Sequence, residues 1–183
     1  MHTLFRGVVL KKKRLHFASR FFISSIFVIC LFMQSSYGQD SKFAALYVIN
    51  FAKYLGWPTV PDHFTITVLG DDPIYDQLKS MSSEAKIGEQ NITVNKSMSI
   101  DKIDKCEILF ISPDKSNLLT TAVAKFGQAS TLIVTSKEGL AMEGSSINLV
   151  TIGGKLTFEI NVNALKKSGL SAKPALFKLG KTI

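Results

Sequence analysis

The sequence predicts an α/β fold: a single domain with a mostly parallel central sheet of about six strands, flanked by helices, with an antiparallel C-terminal hairpin. Three observations predict it. Apolar runs and turn signals alternate at short intervals, as strand–helix units do. Residues 131–135 (TLIVT) are continuously apolar or β-branched, the pattern of a strand buried on both faces. Residues 155–162 instead alternate: Leu156, Phe158, Ile160 and Val162 fall on one face, and Lys155, Thr157, Glu159 and Asn161 on the other. That is the pattern of a strand with one dry and one wet face.

Each element has a local cause. Ser41 suits the N-cap of a helix over 41–55, whose apolar positions Phe43, Leu46, Ile49 and Tyr54 recur at helical spacing, widened by Val48, Phe51 and Ala52. Gly56-Trp57-Pro58 ends it, because a residue before proline avoids the helical region. Residues 64–69 are β-branched and read as a strand. Gly70 turns the chain, Asp72 caps, and Pro73 suits the first position of a helix to about 81. A short strand over 92–94 and a helical turn over 99–105 follow. The pattern then repeats: strand 107–111, helix 116–126 closed near Gly127, strand 131–135, and a short helix or turn at 137–142. Strands 147–152 and 155–162 flank Gly153-Gly154, which supply the positive φ of a tight hairpin. Helical segments near 163–168 and 174–181 complete the chain.

The formal net charge of +8 is concentrated at the start. Residues 1–38 hold six of the 22 basic residues and no acid, leaving 16 Lys against 14 acidic residues, a net charge of +2, for 39–183. The basic balance is therefore not the footprint of a nucleic-acid binder. Basic residues precede an apolar run at 21–33, and Ser36-Tyr37-Gly38 supplies small residues for cleavage. Residues 1–38 read as a cleaved signal peptide, with the cut between Gly38 and Gln39, and the protein as exported to the periplasm. The run is too short for the ~20 residues a membrane-spanning helix needs.

The remaining chain, 39–183, has no Arg, one Cys (Cys106) and one His (His63). Bidentate guanidinium clamps, an intrachain disulfide and a His/Cys metal cage are thereby excluded, and no cofactor is expected.

Four stretches together carry a resemblance. They are Lys42-Phe43-Ala44-Ala45 running into Asn50-Phe51-Ala52-Lys53-Tyr54 and Trp57-Pro58; Thr67-Val68-Leu69-Gly70-Asp71-Asp72-Pro73; Cys106-Glu107-Ile108-Leu109-Phe110-Ile111-Ser112; and a C-terminal set. The last comprises Gly139, Gly144, Ile147-Asn148-Leu149-Val150, Phe158-Glu159-Ile160-Asn161, Gly169-Leu170 and Leu176-Phe177-Lys178-Leu179. In order and spacing the chain resembles the YfiR/HmsC family. The resemblance implies a small periplasmic α/β regulator without catalytic activity. Such proteins repress an inner-membrane diguanylate cyclase through its periplasmic portion, contact an outer-membrane lipoprotein, and form homodimers. Relatives also serve other membrane-bound sensors, so the alternative is a small-molecule-binding sensory module feeding a histidine kinase or another envelope receptor.

Candidate residues divide accordingly. Trp57 and Tyr54 at the end of the first helix, with Glu159 and Asn161 on the wet strand face, are candidates for partner binding, since Trp is enriched among interface hot spots. Asn161 also suits a cap on the next helix. Asp71 and Ser112 follow strands at their carboxyl ends, where α/β proteins place ligands, and mark a candidate crevice. Asp71-Asp72, Asp114 and Thr135-Ser136-Lys137 have the composition of a phospho-acceptor site, but an exported protein meets no phosphodonor, and capping explains Asp72. Cys106 with His63 could suggest a thiol nucleophile; Asp104 and Glu107 beside it oppose the thiolate, and a small apolar filler is the better reading.

Overall fold

The computed structural model describes residues 35–59 and 62–183. The signal-peptide reading rests mainly on residues 1–34, which lie outside the described residues. Residues Asp40–Ile183 form one compact unit.

The sheet is built by two kinds of crossover. β2 (Phe64–Leu69) runs into α2 (Ile74–Ser82), which returns through β3 (Lys86–Ile87) to β4 (Gln90–Ser97) on one side of β2. The chain then crosses to the other side for β5 (Ile108–Ile111), α3 (Leu119–Phe126), β6 (Leu132–Thr135) and β7 (Ile147–Ile152). Strands β4, β2, β5, β6 and β7 are mutually parallel, in that spatial order. This is a doubly wound order, and its switch point lies at the carboxyl ends of β2 and β5. β8 (Lys155–Ile160) folds back antiparallel on β7 through Gly153 and Gly154, at φ +58° and +76°. Both are conformations that a Cβ would strain.

Among the described residues the main sheet has eight strands, where about six were expected. The two extra ones are β3 and β10 (Lys181–Thr182), which pair at the edges over two residues each. Strands of that length have no periodicity to read. β4 is likewise eight residues long where three were expected, because Asn and Lys in its second half conceal the strand pattern. A separate two-stranded pair joins β1 (Leu55–Gly56) to β9 (Ser171–Ala172).

Strand alternation divides the core into two layers. Phe64, Ile66, Val68, Ile108, Phe110, Leu132, Val134, Phe158 and Ile160 point to one face. There they meet the long helix α1 (Ser35–Tyr54), α2, Leu165 of α4 (Val162–Lys167) and Leu176 of α5 (Pro174–Leu179). Leu69, Leu109, Ile111 and Ile133 point to the other face, onto α3 and Ile100, Ile103 and Leu140.

Two corrections concern α1. The helix runs through Ser41 from Ser35, so Ser41 is not its N-cap. No proline separates the two positions, and an interior Gly38 costs a helix only about 1 kcal/mol. The buried face is Ala45, Val48, Ile49, Phe51 and Ala52, whereas Phe43 and Leu46 are 47% and 40% exposed. Their spacing fits a helical stripe, but the sheet beneath accepts a stripe rotated away from them.

Candidate functional site

The switch point gathers the acidic residues singled out in the sequence, and each carboxylate is engaged there. Asp72 Oδ1 accepts the Ile74 N–H at 2.9 Å, capping α2. Its carboxyl is pushed above the ordinary value by burial, partly offset by that bond, with Asp114 and Asp71 adding to the rise. Asp71 is exposed and paired with Lys96, whose ammonium holds the carboxyl below its usual value. Ser112 is fully buried, with its hydroxyl bonded to Leu69 O and to the Asp114 carboxylate. Gly70, at φ +113°, lies against Ser112 and Asp114 so closely that no Cβ would fit. Ser112 and Asp114 thus fill the notch beside Gly70, while Asp71 turns outward to Lys96. Lys137 reaches Ser116 Oγ at 3.4 Å.

Cys106 is 2% exposed. Burial pushes its thiol up to about 12, a Thr67 hydrogen bond opposing the rise and Glu107 adding to it. At neutral pH it stays protonated, and a thiol nucleophile is thereby unavailable. Its neighbour Glu107 is also buried, and Glu107 Oε2 accepts the Thr65 N–H at 2.6 Å. No sequence pattern distinguished this carboxylate from a solvated one.

Trp57 and Tyr54 lie where α1 gives way to β1. The Tyr54 carbonyl accepts the Lys173 N–H at 3.0 Å, fixing the turn to the C-terminal segment. The Trp57 ring stands edge-on to Phe64, with centroids 4.9 Å apart. It lines a groove of about 420 Å³ with Ala52, Leu55, Phe64 and the β3–β4 turn at Gly88-Glu89. The indole Nε1 is buried and has no hydrogen-bond partner among the described residues. The wall supplied by that turn could not be read from sequence, since it joins Trp57 to residues some thirty positions away.

Glu159 and Asn161 occupy a face that is half-buried, not wet. Asn161 Oδ1 accepts the Ala164 N–H at 2.9 Å, capping α4, and its Nδ2 donates to Ala141 O at 2.8 Å. Glu159 accepts from Asn148 Nδ2 at 3.3 Å and lies 3.8 Å from Lys181 Nζ on β10. Asn148 in turn accepts from Thr135 Oγ1 at 2.7 Å, so a buried polar chain runs from the core to the sheet edge. Trp57 and Tyr54 therefore cluster at one place, Glu159 and Asn161 at another, and Asp71 and Ser112 at a third.

The sequence matches the YfiR/HmsC-like family over residues 41–181, nearly all of the compact unit. The chain belongs to the YfiR/HmsC-like family. The family is one of periplasmic regulators that act with membrane signalling proteins, and it is not known as enzymatic. No curated protein matches this YfiR/HmsC-like chain. Among solved structures it is similar to a conserved domain protein from Vibrio cholerae O1 biovar El Tor (TM-score 0.55, 10% identity, 75% of this chain and 59% of that one). It is also similar to an ABC domain in complex with L-Trp from Streptococcus pneumonia (TM-score 0.51, 15% identity, 74% and 59%). The YfiR/HmsC-like chain thus spans about three-fifths of each, and at these identities the likeness is one of fold alone.

Proposed function

We propose that this protein is exported to the periplasm, where it binds and represses a membrane signalling protein by occupancy. A diguanylate cyclase is the first candidate, with cyclic-di-GMP and biofilm formation as the output. Binding the inactive form of such a sensor more tightly than the active form shifts its population without any chemistry. A competing outer-membrane lipoprotein would release it, and a homodimer would present two copies of the surface. The observation that carries this reading is the membership of residues 41–181 in a regulatory family. The apolar groove at Trp57 and the exposed Phe43 and Leu46 supply surface of the type partners use.

The test is genetic and chemical together. Deleting the gene should raise cyclic-di-GMP, and the wild-type chain should restore it, while Trp57→Ala and the surface variant Phe43→Glu should restore it poorly. An unchanged cyclic-di-GMP level removes the cyclase from the reading. Failure of photo-crosslinkers at positions 43 and 46 to capture any membrane protein removes the regulator itself.

One observation favours a second reading, a small-molecule-binding sensory module feeding a histidine kinase or other envelope receptor. The Trp57 groove, at about 420 Å³, falls in the size range of small-molecule sites. A crevice between Asp71 and Ser112 suits this reading less, because Ser112 and Asp114 occupy the space beside Gly70. A saturable thermal shift with a compound library, lost in Trp57→Ala, would support the module.

A further inference from the structure

β4 is a long strand with a short partner. It pairs with β2 along Ile92–Ser97, but with β3 only at Gln90 and Asn91. Successive residues of a strand turn their backbone groups to opposite edges. Ser97 O accepts the Gly70 N–H, so Ser97, Asn95 and Thr93 face β2. Val94 and Lys96 therefore face outward beyond the end of β3, and no hydrogen bond from another described residue reaches their backbone groups. An edge of this kind, with no proline to blunt it, is a template for another strand.

A groove of about 530 Å³ lies on this edge. Four consecutive residues, 94–97, line it, so it straddles the strand rather than lying on one face. Tyr75 of α2 forms one wall, with Lys96 Nζ 5.6 Å from its ring centroid. The other wall is the segment from Lys102 to Lys105. Lys102 and Lys105 form no salt bridge with a described residue, and Asp104 is the one acid among the described residues that line the groove. The groove is thus net positive.

We propose that β4 is a strand-addition site, and that its occupant is an extended acidic segment of a partner protein. The segment pairs with the backbone of Val94 and Lys96, and its carboxylates face Lys102 and Lys105. Main-chain bonds supply affinity and the lysines select for acid. A second copy of this chain would bring another positive groove against the first, which disfavours self-pairing. This inference rests on the partner-binding reading above and names the chemistry of one contact.

The test uses a synthetic peptide of alternating Glu and Val, with the Lys–Val peptide as control, and reads backbone amide exchange by NMR on the purified chain. Saturating acidic peptide should protect the Val94 and Lys96 amides, and the Lys–Val peptide should not. Val94→Pro removes an outward donor while leaving the bonds to β2, and should weaken binding about tenfold. Lys102→Glu with Lys105→Glu, on the loop, should weaken it without touching the strand, which covers the case in which Val94→Pro does not fold. The proposal is overturned if those amides are already protected without peptide, if protection appears elsewhere, or if both variants bind normally. It is also overturned if Val94→Pro dissociates a dimer, since the edge would then be a self-interface. Capture of a membrane protein that survives Val94→Pro and the double lysine variant would sink the edge alone and leave the regulator reading intact.

Discussion

Gly180 lies against the Phe158 ring so closely that a β-carbon at position 180 would fall within 3.0 Å of three ring atoms. The ring is not free to move away, because it is edge-on to both Tyr47 and Phe51, with centroids 5.4 Å and 4.9 Å distant. Gly180 links α5 to β10, so this contact seats the C-terminal strand on β8.

Gly180→Ala should therefore destabilise the fold by about 1–3 kcal/mol, the usual cost of overpacking a core. Urea unfolding measures it, and exchange of the Ile183 amide, which donates to Ile160 O, should rise first. An unchanged midpoint would mean that the ring yields.

Asn161 does two jobs, and they can be separated. Asn161→Ala loses the cap on Ala164 and the bond to Ala141, and should cost about 1–2 kcal/mol. Asn161→Asp keeps the cap acceptor and loses only the donor, so its loss should be smaller. Equal losses in chemical denaturation would show that the cap contributes nothing.

Asp72 sets a pH dependence whose sign follows from its raised pKa. The folded state holds this proton more tightly than the unfolded chain, so protonation stabilises the fold. The contribution is greatest below the ordinary value of 3.8 and is lost as pH rises through the higher folded pKa. Asp72→Asn keeps the acceptor for Ile74 without the half-buried charge. Its stability relative to wild type should rise as pH is raised from below 3.8 to neutrality. Unfolding curves across that range check it, and a parallel pair of curves would refute it.

Cys106, with its thiol pushed up to about 12 and its side chain buried, should resist alkylation in the folded protein at pH 8. Iodoacetamide followed by mass spectrometry should find it unmodified until denaturant is added. Rapid native-state labelling would reopen the thiol chemistry set aside above.

The structure bears out those elements whose cause was local. Strand 64–69 was legible from its β-branched run, the turn at Gly153-Gly154 from its glycines, and the caps at Asp72 and Asn161 from residue type and position. The alternation of 155–160 was legible too, but not what covers it. Glu159 reads as solvated until Asn148 and Lys181, from two other strands, are brought beside it. Phe43 and Leu46 read as core because periodicity gives the width of a stripe and not which part of it meets the sheet.

By itself the sequence determined the α/β class, the order of the long elements, the absence of Arg from residues 39–183 and the family resemblance, because these depend on residue type and on spacing within a few positions. Only the tertiary structure decided which groups are free and which are spent. Ser112 and Asp114 close on Gly70, Cys106 is sealed under the sheet, and β4 keeps an unpaired edge beside Lys102 and Lys105. Those outcomes come from desolvation and from pairing between residues far apart in the chain, and no local pattern encodes them.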